Sequence, residues 1–116
     1  MNDIGRLKSD ARLSRVVTYN GIAYLSGLTA DNRAGSMAEQ TKEVLGKIDT
    51  LLLQAGTNKS RLLSAMIYIS EMSQKSSMDE VWVAWVDPKN APTRAVVRAD
   101  LGTRETLIEI LVTAAL

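Results

Sequence analysis

The sequence predicts a two-layer α+β sandwich, a mixed or antiparallel sheet with two helices on one face. Three observations carry that expectation. Asn20-Gly21 stands between two runs of branched and aromatic residues, the signature of a two-residue hairpin. Two stretches, beginning at Ser36 and Ser77, place Glu three positions after a hydroxyl residue and continue with apolar residues at helical spacing. The other apolar segments alternate or are rich in branched residues, as strands are. Two helices with one apolar stripe each can cover only one face of a sheet of about five strands.

In chain order, Ile4 to Lys8 reads as a short strand, and Leu13 to Tyr19 and Ile22 to Gly27 as the arms of the hairpin. Gly27 at a strand end marks either the close approach of another backbone or a ligand, or a plain bulge or turn. Leu28 to Gly35, polar and containing Asp31-Asn32, is a loop. The first helix runs to about Ala55, its stripe formed by Met37, Val44, Leu45, Ile48, Leu51, Leu52 and Ala55, and Gly56 supplies a left-handed stop. Gly46 costs about 1 kcal/mol relative to Ala inside a helix and is expected to pack closely on the sheet.

Leu63 to Ser70 alternates, with Leu63, Ala65, Ile67 and Ile69 facing one way and Ser64, Met66, Tyr68 and Ser70 the other. The second helix, capped through Ser77-Met78-Asp79-Glu80, lines Met78, Val81, Trp82 and Trp85 along one side and stops before Asp87-Pro88. The Trp pair is read as core beneath the sheet in preference to an aromatic platform. Pro92 drives Ala91 into an extended conformation, so a strand starts near Arg94, with Arg94, Val96 and Arg98 on one face and Ala95, Val97 and Ala99 on the other. Thr106 to Ala114 is the final strand. Met66, Tyr68, Val96, Leu107 and Leu111 are expected on the bare face, an apolar area that self-association would bury.

The 116 residues, 46% hydrophobic, fit one domain spanning 1–116. A formal charge of +1 with scattered basic residues disfavours nucleic-acid and anionic-membrane partners, and no apolar run reaches membrane-spanning length. With no signal-peptide layout at the N-terminus, the expected compartment is the cytoplasm. The chain has neither His nor Cys, which removes imidazole bases, thiol nucleophiles, disulfides and the usual zinc ligands. Acid and base work falls to Asp, Glu, Tyr, Lys or water.

Arg94 and Glu109 are the residues on which chemistry would turn. A short turn through Asp100-Leu101-Gly102-Thr103 would join the last two strands, and one register sets Glu109 across from Arg94 on the same face. Such a pair is either a structural ion pair or a carboxylate clamp beside a general base. Arg98 shares that face and is expected to pair with Glu105, while Tyr19 and Tyr24 read as packing residues.

The element order, Ser26-Gly27 after a hairpin, Ala91-Pro92-Thr93-Arg94 and Ile108-Glu109-Ile110 together resemble the YjgF/YER057c/UK114 superfamily, the RidA family of enamine/imine deaminases. The likeness runs from about Leu13 to Ala114 and is nearest the short branch typified by bacterial YoaB proteins, which share the Asn58-Lys59-Ser60 and Trp82 to Val86 neighbourhoods. It implies a chorismate-mutase-like fold, a homotrimer with clefts between subunits, and hydrolysis of 2-iminoacids to 2-ketoacids and ammonia without metal or organic cofactor. By position, Arg94 matches the arginine that grips the substrate carboxylate and Glu109 the glutamate that positions water. Ser26 and Gly27 match the pair lining the cleft. Val96 stands where the best-studied branch often has Cys and would offer its backbone N–H. The cleft tyrosine of the family falls on Leu13, so that contact is missing. The same frame also admits a non-catalytic trimer that binds small carboxylates. A ribonuclease or translation-inhibitor activity, attached to some relatives, sits poorly with a chain lacking His and a basic patch.

Overall fold

The computed structural model describes residues 3–116. The chain forms strands β1 (Gly5–Ser9), β2 (Ser14–Tyr19) and β3 (Ile22–Leu25), helix α1 (Met37–Gln54), strand β4 (Leu62–Ile69), helix α2 (Lys75–Trp85), and strands β5 (Thr93–Arg98) and β6 (Ile108–Ala115). They build a six-stranded sheet in the order β1-β2-β3-β6-β4-β5. Every neighbouring pair is antiparallel except β4 and β5, which run parallel because α2 carries the chain back across the sheet between them.

Local chemistry accounts for the main elements. Asn20 and Gly21 both adopt positive φ, 51° and 77°, as the expected hairpin turn requires. At the start of α1 the Ser36 hydroxyl accepts from the Glu39 N–H, and the Glu39 carboxylate accepts from the Ser36 N–H. Gly56, at φ 88°, ends that helix. Val44, Ile48 and Leu52 from α1, Met78 and Trp82 from α2, and the sheet residues Ile67, Ile69, Ile108 and Ile110 make one continuous core. Each fully buried side chain of this size contributes about 1.5–3 kcal/mol. Trp82 lies in that core as expected, whereas Trp85 sits at its rim, its indole N–H donating to Asp49 at 2.9 Å.

Among the described residues four polar ones are buried, Gln40, Thr41, Thr57 and Thr106, and Gln40 is the largest of them. Gln40 is 1% exposed and all of its amide capacity is directed at backbone: it donates to the carbonyls of Gly35 and Glu105 and accepts from the Leu107 N–H. It therefore fixes to α1 the segment that leads into β6.

Several expectations give way. The last two strands are not a hairpin: β6 inserts between β3 and β4, and β5 pairs only with β4, at the sheet edge. The burial of β6 alternates without a fully exposed position, which suits a central strand, while Arg94, Arg98 and Thr93 suit an edge. Residues 99–107 make the longer connection that this order needs. Val96 and Leu107 pack against the helix-covered core, so the bare face keeps Met66, Tyr68 and Leu111 from the expected set and gains Ala95 and Val97. A register shift between Leu62 and Ser64 turns Leu63 outward and buries Leu62 in its stead. α2 begins at Lys75, after a 3₁₀ turn over Met72–Gln74; Ser77 is already inside the helix and caps nothing. Gly46 faces away from the sheet with no atom near its missing β-carbon, and Tyr19 and Tyr24 are exposed.

Candidate functional site

The bare face carries Glu109. Ile108, Ile110 and Val112 are buried under the helices, so Glu109, Leu111 and Thr113 point the other way. Across the strand pair they meet Tyr68, Met66 and Ser64 in turn, and the Ser64 and Thr113 hydroxyls share a 2.6 Å hydrogen bond. Gly27 lies against Glu109. A β-carbon there would fall on Oε2 and come within 3.0 Å of Cδ and 3.2 Å of Cγ. The close approach at this glycine is therefore made by a side-chain carboxylate of the same chain, and by neither the backbone nor the ligand expected there. Paired hydrogen bonds between Leu28 and Ile110, at 2.9 and 3.1 Å, hold the loop after β3 in that position. Ser26, next to Gly27 in the chain, is tied to β2: its N–H donates to the Arg15 carbonyl and its hydroxyl accepts weakly from Arg15 Nη1 at 3.4 Å.

Arg94 lies elsewhere. Its register partner on β4 is the buried Ala65, so its side chain rises on the helix-covered side. There Nη1 donates to Asp79 Oδ1 at 2.8 Å, the other Asp79 oxygen accepts from Lys75 Nζ at 2.7 Å, and the guanidinium stands 5.6 Å from the centre of the Trp82 ring. Partial burial raises the Asp79 pKa, but the hydrogen bonds and charges of Lys75 and Arg94 outweigh it and hold the carboxyl below its ordinary value. Val96 follows on the same strand. The Ala99 N–H donates to Ile69 O, so the odd-numbered residues of β5 turn their N–H groups toward β4, and Arg94 and Val96 present theirs at the free edge.

Within one chain, then, Arg94 and Glu109 do not meet. They stand on strands separated by β4 and on opposite faces of the sheet, which corrects the register expected from the short turn. Gly27 joins Glu109, with Ser26 beside it in the chain, and Val96 joins Arg94. The ion-pair partner of Arg94 is Asp79, which lies within the Ser77 to Glu80 motif; its one signal in the sequence is the four-residue spacing from Lys75. Tyr68, which the alternation of its strand places on the bare face, is the cross-strand neighbour of Glu109. Arg98 makes no ion pair with Glu105 and instead lines a polar hollow with Glu71, Asp100 and Arg104. Among the described residues no group of three or more His, Cys, Asp or Glu side chains could hold a metal ion, and no helix is long and apolar enough to cross a membrane.

The family model described as Endoribonuclease L-PSP matches residues 4–116. A RutC family protein of Haemophilus influenzae is 41% identical over 115 residues, covering 96% of this chain and 97% of that one. The RutC family protein YoaB of Escherichia coli is 36% identical over 112 residues, with 97% of each chain covered. The chain belongs to the YjgF/RutC/Rid family. Its α+β fold is that of a solved YjgF family member from Neisseria meningitidis, which is 39% identical and superposes with a TM-score of 0.94 over 97% of this chain and 94% of that one. In this YjgF/RutC/Rid chain Leu13 lies in the turn before β2, where its N–H donates to the Asp10 carboxylate at 3.0 Å and its side chain brings no hydroxyl to any cleft.

Proposed function

We propose that the chain hydrolyses 2-iminoacids and their enamine tautomers to 2-ketoacids and ammonia, in clefts completed by neighbouring copies in a homotrimer. The observation that carries this reading is the separation of two complementary half-sites. Arg94 and the outward N–H of Val96 occupy a free sheet edge, and Glu109 lies over Gly27 beside Tyr68 on an uncovered face. Each half lacks what the other has. The bare face, with Tyr24, Met66, Tyr68, Ala95, Val97 and Leu111, offers an apolar surface that a second copy would cover. Laid against such a face, the edge of β5 would bring guanidinium and carboxylate into one enclosure.

The chemistry asks little of the protein. Arg94 keeps one nitrogen on Asp79 and offers the rest of its fork, with the Val96 N–H, to the substrate carboxylate. The carbon of a protonated imine is already electrophilic, so orienting a water is the main task. Water held by Glu109 attacks that carbon, the C=N π electrons move to nitrogen, and the water proton passes to the carboxylate. The proton is returned to nitrogen, the C–N bond breaks, and the hydroxyl loses its proton as the carbonyl forms. One iminoacid and one water give one ketoacid and ammonia.

The test is to add purified protein to a freshly generated 2-iminoacid and follow ketoacid release. The reading expects acceleration by the wild type and its loss in Arg94→Ala and Glu109→Gln. Decay no faster with protein than without overturns it. If ketoacids still bind in that case, the same cleft serves carboxylate binding alone.

A further inference from the structure

Arg94 does not stand free at its edge. Asp79 on α2 accepts from Nη1 at 2.8 Å, and the Trp82 ring lies beneath the guanidinium with its centroid 5.6 Å away. The second Asp79 oxygen accepts from Lys75 Nζ at 2.7 Å, one helical turn back, so the carboxylate is itself fixed before it meets the arginine. Arg94 is 26% exposed along its side chain, and a carboxylate approaching it finds another already in residence.

From this geometry we infer that Asp79 is a positioning residue for Arg94 that sets how tightly the site holds a carboxylate. The inference rests on the proposed reading of Arg94 as the carboxylate grip. Two opposing effects act through one side chain. The hydrogen bond and the aromatic face hold the fork in a single orientation, so its free N–H donors are arranged before a ligand arrives and less ordering is needed on binding. The negative charge cancels part of the pull of the guanidinium and loosens the hold on any second carboxylate. A site built this way is selective for the shape of a carboxylate yet lets the 2-ketoacid product leave.

Substitution separates the two effects. Asp79→Asn keeps an acceptor for Nη1 and removes the charge; Asp79→Ala removes both. With pyruvate as the probe, calorimetric titration of the intact assembly should show Asp79→Asn binding about three- to tenfold tighter than wild type. Asp79→Ala should fall short of Asp79→Asn by roughly threefold or more, because the fork is no longer held. Lys75→Met, which takes the second cation off Asp79 without touching Arg94, should weaken binding. A purely structural role would instead lower affinity in every variant, in step with the melting temperature. If Asp79→Asn binds no tighter than wild type, or Asp79→Ala binds as tightly as Asp79→Asn, while Arg94→Ala still weakens binding, the inference falls and the grip stands. If Arg94→Ala binds pyruvate like wild type, the grip falls and the inference with it.

Discussion

The carboxylate of Glu109 occupies the space that a β-carbon on Gly27 would need. The nearest clash is with the far end of a flexible side chain, and Gly27 does not use a positive φ, so the backbone can accept alanine while Glu109 has to move. Gly27→Ala should therefore keep the fold, with a stability change within about 1 kcal/mol. On the proposed reading of Glu109 as the group that holds water, hydrolysis of the iminoacid should fall about tenfold or more as its carboxylate is displaced. Thermal unfolding and turnover measured on the same sample check this; undiminished turnover would show that the position of Glu109 is not critical.

Gln40 ties the approach to β6 onto α1 through three backbone groups. Gln40→Leu fills much of the same volume and takes the side-chain partner from those partly buried groups. The expected cost is about 2–4 kcal/mol. Urea unfolding read by the Trp signal measures it, and a loss below about 1 kcal/mol would mean that water replaces the amide.

Acid should weaken the fold in a defined window. The Glu39 carboxyl is lowered by the Ser36 N–H, and that of Glu43 by the backbone N–H of Asp31. The Asp79 carboxyl is raised by partial burial but lowered further by Lys75 and Arg94. Folded values below the ordinary 4.5 for Glu and 3.8 for Asp mean that the unfolded chain binds more protons near pH 4. Their stabilisation is fully present above about pH 5 and is lost as pH falls through the folded values. Urea midpoints between pH 7 and pH 3 should be flat and then drop, and Glu39→Gln should make the drop shallower.

A lysine on the bare face tests assembly. Leu111 lies beside Met66 there, with Ala95 beyond it on β5. Leu111→Lys should give a folded monomer by sedimentation velocity, with its circular dichroism unchanged and its hydrolytic activity gone. A trimer that survives the charge would place the contact elsewhere.

Core size is the plainest prediction. Ile67 is fully buried at the centre of β4, and Ile67→Ala should cost about 2–5 kcal/mol in chemical unfolding.

What the sequence made legible follows the range of the interactions. Asn20-Gly21, the Ser36 to Glu39 cap, the α1 stripe and Gly56 are written within a few residues of where they act, and each forms as expected. The arrangement of strands is not local. Asp100 to Thr103 has the composition of a tight turn, yet β6 gains more by pairing both of its edges, with β3 and β4, than by lying at the sheet edge beside β5. That one choice moved Arg94 and Glu109 apart and put Val96 and Leu107 under the helices. Leu63 was misread because a register shift breaks the alternation, and Asp79 because a carboxylate near a helix start looks like part of a cap until its cross-layer arginine is seen. Where each candidate residue lies, Arg94 and Val96 at one edge and Glu109 against Gly27 on the bare face, required the topology.

β6 joins β1, β2 and β3 to β4 and β5, and among the described residues no ladder links those two groups except through it. Until residues 108–115 are in place, the growing chain carries a meander and a parallel pair, each with an unfilled seam facing the other. The gap has room for one strand of any compatible chain. A neighbouring molecule's β6 fits the same gap but competes with a tethered strand, so interrupted synthesis at high concentration should favour strand-exchanged oligomers, and an excess of a peptide copying 108–115 should trap the open form.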